Sequence, residues 1–125
     1  MTAIWVFLGG GLGAVCRWGL NGVVDSLATK LGWGRFPVGI LGCNLLGCFL
    51  IGWLFGYYAG RQVPGWVFPF LATGFLGGFT TFSTFGKNTQ ELWAGGLGGL
   101  ALVNVVASVV LGLGAVLVGL RVAQG

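Results

Sequence analysis

The sequence predicts an all-α integral membrane protein of four transmembrane helices, the third broken near mid-membrane. Three observations carry that prediction. Of 125 residues, 56% are hydrophobic and only 6% are charged, whereas an ordinary soluble domain is about 25% charged. A soluble chain this short cannot bury so much apolar surface, because small domains hide a limited fraction of what they expose. The apolar residues fall into four stretches, each long enough for the roughly 20 residues that about 30 Å of hydrocarbon demands. The third stretch also contains GFLGGFTTFSTF, Gly74 to Phe85, where a glycine pair is followed by hydroxyls and regularly spaced phenylalanines. At this length the chain, residues 1–125, is a single four-helix membrane domain.

The first stretch runs from about Ala3 to Val24. It has no basic leader region and carries Arg17 inside the apolar run, so it reads as a mature helix and not as a cleaved signal. Gly9, Gly11 and Ala14 satisfy a GxGxxA dinucleotide pattern, but Thr29 stands near where the acidic partner belongs and no βαβ unit can be drawn. DSLATKLGWGRF then separates the first stretch from the second, Pro37 to Gly60, with Pro37 suited to a first helical turn. Gly52, Gly56 and Gly60 repeat at four-residue spacing, which favours close packing of backbones. Among 27 glycines, such a repeat does not single out an interface.

After RQVPG, the third stretch begins near Trp66 and continues past Phe85, with Pro69 in its opening turn. Gly77 and Gly78 predict its interruption, since glycine is about 1 kcal/mol less favourable than alanine inside a helix. The threonines that follow can divert backbone hydrogen bonds. A break at this depth frees carbonyls that can hold a cation, and it survives only where protein or water covers it. The surroundings of Lys87 to Glu91 lead to the fourth stretch, about Leu97 to Leu120.

The charges exclude several partners. A net charge of +4 arises from six scattered bases against Asp25 and Glu91, which gives neither a nucleic-acid patch nor a polybasic lipid-binding run. Cys16, Cys43 and Cys48 lie in apolar runs, without histidine or a CxxC spacing, and read as small packing residues. Arg61, Arg121 and the terminal amine fall on one side of the membrane. Lys30 and Arg35 fall on the other, with Arg17 and Lys87 near its edge. So weak a bias predicts insertion in both orientations.

Polar groups inside the spans carry the functional signal, because each needs a partner or a wet path. They are Asn44 in the second stretch, Asn104 and Ser108 on one face of the fourth, the hydroxyl cluster of the third, and Arg17 with Asn21 toward the end of the first. Such residues also serve as hydrogen-bond glue between helices, and that reading stays open at this point. No carboxylate occurs deep in a span, so neither a proton relay nor a counter-ion for a cationic substrate is in sight. Neutral N–H and O–H donors suit an anion, and so do phenylalanine rings presented edge-on, where the quadrupole is positive. Phe79, Phe82 and Phe85 at spacing three also fit simple packing, although Thr80, Thr81, Ser83 and Thr84 are interleaved with them.

GGGLGAVCRW (Gly9 to Trp18), PVGILGCNLLGCFLIG (Pro37 to Gly52), GFLGGFTTFSTF and NVVAS (Asn104 to Ser108) give the chain its resemblance, over its whole length, to the small Fluc/CrcB fluoride channels. The resemblance implies a channel for passive fluoride export across the cell (inner) membrane, not an enzyme. It further implies a homodimer of oppositely inserted four-helix subunits, with two pores and a structural sodium ion at the dimer centre. Matched motif by motif, the sodium-holding carbonyls fall at Gly77 and Thr80, and the paired pore phenylalanines at Phe82 and Phe85. Ser83 and Thr84 fall on the polar track beside them, Asn44 at the pore asparagine, and Arg17 at the vestibule arginine. Asn104 and Ser108 extend the anion path on the fourth helix. The chain departs from the family pattern at Ile40, usually threonine, at Cys43, usually valine, and at Asn104, where tyrosine is frequent. Gly86 and Asn88 stand where a serine and a glutamate commonly follow the motif. Two other classes remain to be weighed. A small multidrug or cation antiporter needs a membrane-embedded carboxylate that the first span lacks. In a non-transporting assembly subunit, the polar residues would be glue alone.

Overall fold

The computed structural model describes Met1–Gly125 and is helical, with no strand. Three continuous helices, α1 (Thr2–Lys30), α2 (Val38–Tyr58) and α5 (Gly98–Gln124), are long and apolar enough to cross a membrane. Between α2 and α5 lies a broken helix. Its first half, α3, is a wide π-helical run, Phe68–Leu76, continued by one α-helical turn, Gly77–Phe79. Its second half, α4, covers Phe82–Ala94.

Three local expectations need correction. Asp25–Lys30 belongs to α1 and not to the connector. Nothing in that segment breaks a helix before Gly32 at φ 86°, and the Thr29 hydroxyl bonds back to the Asp25 carbonyl at 2.8 Å. Pro37 stands just outside α2 at its N-cap, not in the first turn, whereas Pro69 does lie in the opening turn of α3. The third correction concerns the glycine pair, which does not form the break. Gly77 and Gly78 are helical, and the chain leaves the helix at Thr80 and Thr81. Gly78 is instead a packing residue: a Cβ there would collide with the Gly10 carbonyl and lie 3.1 Å from the Ala14 nitrogen on α1.

The same logic separates the α2 glycines. Gly52 and Gly56 face α5, where a Cβ would strike Val116 in one case and Leu120 and Ala123 in the other. They form the seam of the most extensive helix pair, α2 with α5. Gly60 lies beyond the helix at φ 71° and ends it. In lipid, helices associate through such close packing and through hydrogen bonds, because the solvent is as apolar as leucine. The outer face accordingly needs no burial: only 19 of 125 residues are buried, and leucines and valines of α5 cover its exterior.

Aromatic contacts define one end of the bundle. The Trp5 and Trp66 rings lie 6.1 Å apart, joining the start of α1 to the segment that leads into α3. Tyr58 at the end of α2 lies 5.9 Å from Phe68, and the Arg61 guanidinium sits over the Tyr57 ring at 4.4 Å. The Gly56–Ala123 contact brings the end of α5 to this side as well. Amphipathic rings of this kind suit a membrane–water boundary. Arg61 and Arg121 thus share an end, with Lys30 and Arg35 at the other, as the charge pattern predicts.

Candidate anion path

The break in the third helix is made by a side chain from another helix. The Thr81 N–H donates to Asn44 Oδ1 at 2.8 Å, and Asn44 Nδ2 donates to the Thr81 carbonyl at 3.1 Å. One amide on α2 therefore offers Thr81 both bonds that a neighbouring strand would offer. The backbone responds by extending, with φ −92° and ψ 156° at Thr80, then φ −151° and ψ 120° at Thr81. Thr81 also caps α4, its Oγ1 accepting from the Thr84 N–H at 3.3 Å, as N-cap threonines do. The Thr80 N–H and hydroxyl both donate to the Leu76 carbonyl, at 3.0 and 2.9 Å, and close off α3.

These bonds decide which groups are left over. In an uninterrupted helix the Thr81 N–H would serve the Gly77 carbonyl, and the Thr84 N–H the Thr80 carbonyl. Both N–H groups are used elsewhere, and those of Phe82 and Ser83 open α4 without reaching back to Gly78 and Phe79, so the break frees the carbonyls from Gly77 through Thr80. The Arg17 guanidinium reaches the Thr80 carbonyl at 3.4 Å. The break therefore has two polarities. The end of α3 presents carbonyl oxygens, while α4 begins with N–H groups and the positive end of its dipole.

A cavity of about 420 Å³ opens on this region. It brings together Asn44, Phe82, Phe85 and Ser108 with Gly77 and Thr80, and no charged residue lines it. Phe82 is 84% exposed. Its ring centroid lies 5.5 Å from that of Phe85, with the planes tilted by 42°. Ser108 Oγ is buried and has no hydrogen-bond partner, a costly arrangement unless a water or an ion completes it.

Three of the expected residues lie elsewhere. Ser83 is exposed beside Thr81, with 3.2 Å between their hydroxyls. Thr84 lines a second, polar cavity of about 660 Å³ near the Lys30 end, together with Arg35, Lys87, Asp25 and Glu91. Asn104 is 2% exposed, and its Nδ2 donates to Thr89 Oγ1 at 2.9 Å. Arg17 does not line the polar cavity, whose cations are Arg35 and Lys87. Its guanidinium turns to the break.

Cys48 and Arg35, which sequence reading left out of the path, are lining residues, and so are Thr81 of the hydroxyl cluster and Lys87. Cys48 sits one helical turn after Asn44, a spacing that puts both on one face of α2. The mouth residues gave no such signal. Asp25 is partly spent on structure, since its Oδ1 accepts from the Gly39 N–H at the start of α2 at 3.0 Å. Lys87 and Glu91 pair across one turn at 3.1 Å while both stay largely exposed, a geometry of little energetic weight.

Comparison with known proteins gives a consistent picture. Residues 4–120 match the family described as "CrcB-like protein, Camphor Resistance (CrcB)". A fluoride-specific ion channel FluC of Paracoccus denitrificans is 46% identical over 124 residues, covering 99% of this chain and 95% of its own length. The channel of the same name from Magnetococcus marinus is 43% identical, over 99% of this chain and 98% of its own. That of a Ruegeria species is 40% identical over all of this chain and 96% of its own.

Proposed function

The chain belongs to the CrcB family, and from that premise we propose that it is a fluoride-selective ion channel that lets fluoride leave the cell passively. It is a multi-pass membrane protein, and in bacteria the membrane concerned is the inner one. Its relatives are channels, not enzymes. The observation that carries the reading is the uncharged cavity that gathers Asn44, Ser108 and the two phenylalanine rings beside the N-terminus of α4.

Fluoride is small and strongly hydrated, so a selective path must replace its water with donors. It must also hold the ion weakly at several places so that it can leave. Asn44 spends one N–H on Thr81 and retains a second. Ser108 has its whole hydroxyl to offer, Phe82 and Phe85 add positive ring edges, and α4 adds the positive end of its dipole. None of these is a full charge that would trap the ion. Arg35 and Lys87 in the polar cavity raise the local anion concentration at the mouth. Thr84, which lines the polar cavity, continues the donor series toward that mouth, with the exposed Ser83 hydroxyl beside Thr81 at its start.

The cavity is open along one side, so a second copy would complete it. The weak charge bias between the two ends allows the copies to insert in opposite orientations as a homodimer. The Gly77 and Thr80 carbonyls, freed by the break, fit a sodium ion in their chemistry: hard, neutral oxygens at the negative end of a half-helix. Arg17 on the Thr80 carbonyl leaves that oxygen its second lone pair. Bound there, sodium would supply positive charge that ties the break to a second copy. The test is efflux from liposomes containing the purified protein. Fluoride should pass and chloride should be retained, and fluoride-tight vesicles holding well-folded protein would overturn the proposal.

A further inference from the structure

The structure assigns Asn104 a positioning role in the anion path, exerted through Thr89 on Phe85. The assignment rests on the channel reading above. Asn104 is the one buried polar residue of the chain, 2% exposed, and it does not line the cavity that holds Ser108 one turn further along α5. Its Nδ2 donates to Thr89 Oγ1 at 2.9 Å, and the Thr89 hydroxyl donates in turn to the Phe85 carbonyl at 2.8 Å. The hydroxyl thereby uses its single proton on Phe85 and a lone pair on Asn104.

This relay is the only side-chain hydrogen bond that ties the body of α4 to another helix. The other tie, from Asn44, grips Thr81 at the N-cap. Phe82 and Phe85 lie between the two grips, so two asparagines on different helices fix the roll of the segment that carries both rings. With the Asn104 grip removed, α4 can rotate about its cap, and the ring of Phe85 turns with it. Asn104 thus acts on the ion through the direction of a ring edge and not through contact.

The experiment compares Asn104→Leu, Thr89→Val and the double variant in liposomes. Fluoride and chloride efflux are read per folded channel, beside the melting temperature and the ¹⁹F spectrum of 4-fluorophenylalanine at position 85. Replacing both partners of a buried hydrogen bond by apolar groups restores stability, whereas replacing one does not. Each single variant should lose fluoride flux by about threefold to tenfold, the weight of one hydrogen bond. In the double variant the melting temperature should recover while the flux loss and the shifted, broadened ¹⁹F signal persist. If flux and signal return with stability, Asn104 is glue and the assignment fails. Thr89→Ser keeps the hydroxyl and should keep wild-type flux; if it conducts as poorly as Thr89→Val, the assignment also fails. The ¹⁹F signal needs no fluoride current. A wild-type protein silent to fluoride would therefore overturn the channel reading, while the ring orientation still judges the relay.

Discussion

Asn44 and Asn104 look alike along the chain, each a lone amide deep in an apolar helix, yet the bundle uses them differently. Asn44 reaches across to a backbone, opens the third helix, and keeps an N–H beside the cavity. Asn104 reaches across to a hydroxyl and is sealed from the cavity. Ser108 stands at the far end of the series, with its oxygen bonded to nothing. The difference teaches that a polar residue in a span is not simply glue or simply path. What counts is where the fold leaves its free donors, beside the cavity or sealed from it.

Substitutions should separate stability from conduction along that series. Asn44→Leu leaves the Thr81 N–H and carbonyl unpaired, so it should cost about 2–4 kcal/mol of stability and more than tenfold in fluoride flux. Thermal melts and liposome efflux on one preparation check both, and a fully stable Asn44→Leu protein would remove Asn44 as the cause of the break. Phe82→Ile and Phe85→Ile discard ring edges but keep bulk. Flux should fall by about tenfold with little change in melting, the scale of an aromatic contact.

Ser108→Ala tests the free end of the series. It removes an unpartnered hydroxyl, so the melting temperature should hold or rise while flux drops by about threefold to tenfold. A parallel loss of stability would show that the hydroxyl has a protein partner after all. On the carbonyl side of the break, exchanging sodium for a large organic cation should lower the melting temperature by a few degrees, as loss of a ligand specific to the folded state does. Smallest of all, Lys87→Gln should lower flux about twofold at low ionic strength and not at all at high salt, because exposed charges act through a screened field.

Much of the fold was legible because composition and run length are enough to specify helices in lipid. The four apolar stretches, the grouping of the charges by end, and the interruption of the third helix were all open to sequence reading. The position of the interruption was legible to within a few residues, because the threonines after the glycine pair can divert backbone hydrogen bonds. What the sequence did not show is that Gly77 and Gly78 stay helical and that a double hydrogen bond from Asn44 meets the chain at Thr81, since propensity is a weak force beside such a bond. Glycine in this chain reports mainly on how closely helices approach, as at Gly78 against α1 and Gly52 against α5.

What the sequence determined by itself was therefore the solvent and the helical class, together with a set of donors without buried carboxylates that suits an anion. Only the tertiary structure decided which donors stay free. Hydrogen bonds between helices are made by residues far apart in the chain, 37 positions between Asn44 and Thr81 and 15 between Asn104 and Thr89. Both asparagines find partners, and no local pattern reveals which of them keeps its second N–H beside the cavity.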